Sequence, residues 1–100
     1  MQLQNINEVT AVEKNEFNDR LFDAILTLKT REECYKFFSD ACTPKEITTI
    51  AQRFVVAQML NEKKVYTEIV EKTGASTATI SRVSRAMNEG FKTAFERLEK

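Results

Sequence analysis

A chain of 100 residues with 42% apolar and 30% charged side chains, two glycines and one proline reads as one domain able to bury a single modest core. Its 15 basic and 15 acidic residues cancel, so no global charge draws it to nucleic acid or membrane, and no stretch nears the ~20 apolar residues needed to span a bilayer. With no histidine and no Cys-x-x-Cys pair, a zinc site is not expected.

The opening "MQLQNINEVTAVEKN" has neither a basic start nor an apolar run, which argues against a secretory signal. The expected location is therefore cytoplasmic, where Cys34 and Cys42 stay reduced. Residues 1–13 are expected to form an N-terminal segment without order, and residues 14–100 a single helical domain. Phe17, Leu21, Ile25 and Leu28 follow helical spacing, widened by Phe22 and Leu26, which predicts a helix over 14–28. Thr30 then fits an N-cap with Glu33 as its capping-box partner, opening a short helix through Tyr35, Phe37 and Phe38.

"TPKE" is the stronger start signal: Thr43 caps, Pro44 takes the first helical position, and Glu46 closes the box. That helix is expected to reach Asn61 through Ile47, Ile50, Ala51, Phe54, Val55, Ala57 and Leu60. Its apolar arc, like that of the first helix, is too wide for one partner. A homodimer is expected, because a small chain gains proportionally most from added burial, with a tightly packed monomer that leaves some apolar surface exposed as the alternative. A last helix after Gly90 carries Phe91, Ala94, Phe95 and Leu98 on one face.

Between residues 65 and 88 the pattern changes. Tyr66–Thr73 makes a two-turn helix burying Ile69, Gly74 suits the left-handed residue that ends it, and Ser76 caps the next helix. On that helix Ile80, Val83 and Met87 form a narrow buried stripe, while Ala78, Ser81, Arg82 and Arg85 project to the opposite side. A helix, a glycine turn and a second helix with a short-chain polar face make a helix-turn-helix. The major groove, about 12 Å wide, admits a helix whose leading side chains are short, and Thr77, Ala78 and Thr79 meet that condition. Residues 63–85 hold five bases (Lys63, Lys64, Lys72, Arg82, Arg85) against two acids, whereas residues 1–30 hold five acids against three bases. The expected DNA-binding set is Thr77, Ala78, Thr79, Ser81, Arg82, Arg85 and Lys72.

"CTPKEITTIAQRFVVAQML" followed by "YTEIVEKTGASTATISRVSRAMN" resembles the tryptophan repressor superfamily, and more closely its Trp-repressor-like YerC/YecD branch. The likeness covers roughly residues 21–88 and is most specific in "TGASTATISR". It implies an all-α fold of about six helices, an intertwined homodimer, and near-palindromic double-stranded operator DNA as partner. It also implies a small-molecule pocket, since the two arginines that sandwich the corepressor's indole correspond to Arg53 and Arg82, and Thr43 matches a threonine near that pocket. Val83 stands where the family has a pocket glycine, and Ala86 where it has a serine that helps hold the ligand's amino group. Both changes argue against tryptophan, so no cofactor is expected and any effector is unidentified. Arg53 has an alternative reading as a surface arginine paired with a carboxylate.

Catalysis is not expected. Without histidine, nucleophilic chemistry would fall to Cys34 or Cys42 with no imidazole to activate either, and Cys42 reads as a small buried hydrophobe. Adjacent Glu32 and Glu33 serve capping and solvation. The alternative to a DNA-binding regulator is a protein-interaction module that keeps the helix-turn-helix architecture, a reading favoured by the neutral overall charge.

Overall fold

The computed structural model describes residues 11–99. They form six helices and, among the described residues, no strand: α1 (Glu16–Ile25), α2 (Arg31–Ala41), α3 (Pro44–Asn61), α4 (Tyr66–Thr73), α5 (Thr77–Ala86) and α6 (Glu89–Leu98). Most of the expected N-terminal segment, residues 1–13, lies outside the described residues. The contacts divide the chain into two units, Met1–Ala41 and Cys42–Lys100. No helix among the described residues is long and apolar enough to cross a membrane.

In the first unit Asn15 starts α1, its side chain accepting from the Asn18 amide at 2.8 Å. The helix stops at Ile25, three residues before Leu28. Thr27 donates its hydroxyl to the Ala24 carbonyl at 2.6 Å and its amide to the same oxygen at 3.0 Å, so the chain leaves α1 through a tighter, 3-10-type turn. At the start of α2, Thr30 accepts from the Glu33 amide at 3.1 Å as the sequence predicts. The Glu33 carboxylate, however, accepts from the Lys29 amide at 2.8 Å, one residue upstream of the expected partner. Phe37 and Phe38 meet edge to face at 5.1 Å. No residue of α1 or α2 is buried, and Phe17 and Leu26 are 86% and 81% exposed.

The second unit is built around α3. Its start is the expected box: Thr43 accepts from the Glu46 amide at 3.1 Å and donates its own amide to the Glu46 carboxylate at 2.8 Å, with Pro44 at the helix start. Two of the four orphan donors of a helix end are thereby satisfied. The core comprises Val56, Ala57 and Met59 from α3, Ile69 from α4, Ala75 from the turn, Ile80 and Val83 from α5, and Phe95 from α6. Phe54 binds α6 to α3, its ring 5.3 Å from Phe91 and 5.2 Å from Phe95.

The apolar arc of α3 divides differently from the sequence expectation. Ile50, Ala51 and Val55 are exposed, and the inward side instead uses Val56 and Met59. A helix apolar on nearly every side carries no periodic signal to say which side faces in. Farther along, α5 ends at Ala86, two residues before Asn88, because Met87 turns to extended geometry (ψ 130°) after its amide closes on the Val83 carbonyl. Gly90 falls inside the first turn of α6, not before it, and Leu98 is 66% exposed, off the buried face assigned to it.

Candidate nucleic-acid interface

The turn between α4 and α5 sets where α5 begins. Gly74 adopts φ 75°, the left-handed geometry the sequence expects, and its amide closes on the Val70 carbonyl. A Cβ at Gly74 would meet nothing within 4 Å, so the constraint there is torsional and not one of space. Ala75 is buried beneath the turn, and Ser76 accepts from the Thr79 amide at 3.1 Å to cap α5. Ile80 is fully buried and Val83 is 7% exposed, so one side of α5 is locked into the core.

The other side is open. Thr77, Ala78, Arg82 and Arg85 are exposed, as is Lys72 at the end of α4, while Thr79 and Ser81 are half-buried at the flanks. The Thr79 hydroxyl already accepts from Ser76 Oγ at 3.1 Å, leaving its own hydrogen for an outside acceptor. Among the described residues the ion pair is Lys36 with Glu32 at 3.9 Å. Arg82, Arg85 and Lys72 are thus not held by any carboxylate among the described residues. Five guanidinium donors on each arginine suit bidentate contact with guanine or with phosphate.

The residues assigned to an effector pocket are Thr43, Arg53 and Arg82. Thr43 spends both its hydroxyl and its amide on the cap of α3. Arg53 lies ten residues along that helix, about 15 Å at 1.5 Å per residue. Arg53 is exposed and, contrary to its alternative reading, is not paired with a carboxylate among the described residues. Val83 is part of the core, Ala86 is exposed, and Cys42 is half-buried, not buried. An open groove does exist on α6, lined by Gly90, Thr93, Ala94, Arg97 and Leu98.

Sequence reasoning missed Gln52. Its Nε2 donates to the Thr73 carbonyl at 3.1 Å, the hydrogen bond that joins two different helices among the described residues. Its signal was a polar side chain within the wide apolar arc of α3, one it shares with Thr49 and Gln58.

A family model described as Trp repressor protein matches residues 16–99. Over 72 residues the chain is 58% identical to YerC, an uncharacterised protein of Bacillus subtilis (strain 168), a match that covers 72% of this chain and 69% of that protein. Among solved structures it is similar to a TrpR-like protein from Eubacterium eligens ATCC 27750, with 53% identity and a TM-score of 0.82 over 86% of this chain and 92% of the other. A structure from Staphylococcus aureus is also similar, with 46% identity and a TM-score of 0.82 over 86% of this chain and 89% of the other.

Proposed function

Since the chain belongs to the Trp repressor family, we propose that it is a sequence-specific DNA-binding transcriptional regulator, a repressor, that lays α5 of each copy of a homodimer into successive major grooves of a near-palindromic operator. The first turn of α5 carries this reading. Thr77 and Ala78 stand exposed and short at the leading end of a helix whose back is fixed by Ile80 and Val83. Surface helices ordinarily favour Glu and Lys there, and short hydroxyl and methyl side chains suit base edges instead. Arg82, Arg85 and Lys72 supply charge for phosphate or guanine, and Thr79 and Ser81 offer hydroxyls at the flanks.

Selection of bound sequences from random duplex DNA with purified protein tests the proposal. The expected result is enrichment of a near-palindrome whose binding weakens steeply with salt. Absence of any enriched duplex, with salt-insensitive capture of a protein partner, would favour the interaction module, the reading that the balanced charge supports.

Within the DNA reading, tryptophan does not control this protein. Val83 occupies the position of the family's pocket glycine with an isopropyl group that belongs to the core. Overfilling a packed site costs about 1–3 kcal/mol, which is roughly tenfold or more in affinity. Ala86 further lacks the hydroxyl that would bond the ligand's ammonium. Calorimetry with tryptophan is expected to give no saturable micromolar binding, and operator affinity is expected to be equal with and without it. Binding that strengthens DNA affinity would overturn this.

A further inference from the structure

Resting on the DNA-binding reading, we propose that Gln52 is a positioning residue for α5: its amide clamps the α4–α5 turn to α3, and so fixes the angle at which Thr77 and Ala78 meet the base edges. Thr73, the last residue of α4, is held at three points. Its carbonyl, one of the acceptors a helix end leaves without an internal partner, takes the Gln52 Nε2 proton at 3.1 Å. Its hydroxyl donates to the Ile69 carbonyl at 2.8 Å and accepts from the Ala75 amide at 3.1 Å. All three bonds are partly buried. One residue later Ser76 caps α5, so an unbroken path of directed contacts runs from α3 through Thr73 and Ala75 to the leading turn of α5.

Apolar packing alone does not supply this control. Ala75, Ile80 and Val83 attract α5 to the core, but that attraction is non-directional and tolerates small rotations of the helix about its contacts. A hydrogen bond does not, since it weakens steeply as its angle closes. The left-handed Gly74 between the two helices is the pivot such a rotation would use. A carbonyl only accepts, so the side-chain amide nitrogen must face it, and neither an apolar nor an ionised acidic side chain at position 52 can take over the bond. Displacing a reading helix by a fraction of an ångström disturbs bidentate base contacts far more than it disturbs charge attraction to phosphate.

The test uses the full chain with Gln52→Met, which keeps length but removes the donor, and Thr73→Val, which removes the next link while leaving the carbonyl in place. Each variant is measured for binding to the selected duplex and to an unrelated duplex at one salt concentration, and for amide hydrogen exchange at Gly74 and Ala75. The expected result for both is faster exchange at the turn and a loss of about three- to tenfold on the selected duplex, the range one net hydrogen bond commands. Affinity for the unrelated duplex stays within about twofold, as charge attraction to phosphate is far less sensitive to the helix angle than base contacts are. A merely structural bond would lower both affinities together, by reducing the folded fraction, and that outcome overturns the proposal. Faster exchange with an unchanged preference between duplexes also overturns it while leaving the DNA reading intact. Wild-type protein that prefers no duplex sinks the DNA reading, and this proposal with it.

Discussion

Lys63 holds a backbone geometry that suits glycine: its φ of 67° makes it the non-glycine residue with positive φ among the described residues. The turn after α3 imposes it, with the Lys63 amide bonded to the Leu60 carbonyl at 2.9 Å and the Lys64 amide to the Met59 carbonyl at 3.0 Å. A β-carbon in that region costs about 1–2 kcal/mol, partly offset by the greater freedom a glycine loses on folding. Lys63→Gly is therefore expected to stabilise the protein by about 0.5–1 kcal/mol, read as a higher urea midpoint with unchanged slope. An unchanged or lower midpoint would mean that the lysine stem makes compensating contacts. On α5 the single-residue expectations concern DNA. Arg82→Ala and Arg85→Ala each weaken operator binding, by about 1–3 kcal/mol with relaxed specificity at one position if the arginine reads a base, or evenly across sequences if it holds a phosphate. Ala78→Glu, adding bulk and negative charge on the exposed leading turn, abolishes binding with the helix content intact. DNA affinity unchanged in all three variants would move α5 out of the interface.

The start of α3 was legible because capping chemistry is local. Thr43, Pro44 and Glu46 sit within four residues of one another, and the box they form is the one the sequence spells. Thr43→Ala is expected to cost about 1 kcal/mol, lowering the melting temperature by several degrees for a domain of this size. A loss well below this would mean that water replaces the hydroxyl at the amide of Glu46. Tyr66–Thr73 and the left-handed Gly74 were equally legible, each signalled within a turn or two of chain. The orientation of α3 was not. Ile50 and Val55 look as apolar as Val56 and Met59, and only the positions of three other helices decide which pair goes inward. Gln52 escaped for the same reason, its partner lying 21 residues away. The end of α5 at Ala86 depends on the extended Met87, which carries no glycine or proline to announce it.

For the whole molecule, the two units leave Phe17, Leu26, Ile50, Val55 and Leu98 exposed by 86%, 81%, 48%, 40% and 66%. So much uncovered apolar surface fits an association site, and the near-palindromic operator proposed above calls for a second copy as the partner. Sedimentation at micromolar concentration is expected to give a homodimer, and a well-folded monomer there would remove the palindromic target. Residues 14–100 are expected to melt in a single transition whose midpoint rises with protein concentration, as linkage to assembly demands. Two transitions would assign the first unit a stability of its own, and a single one insensitive to dilution would remove the link to assembly.

The packing of α3 against each of α4, α5 and α6 also has a consequence in time. Synthesis proceeds at about 5–20 residues per second, so the 34 residues from Asn61 to Phe95 take roughly two to seven seconds to follow α3 off the ribosome. Val56 waits for the branched chains of Ile69, Ile80 and Val83, and Phe54 waits longest, for the rings of Phe91 and Phe95. The growing chain meanwhile shows water apolar side chains that the finished fold covers, and this exposure lasts as long as the later helices take to be made.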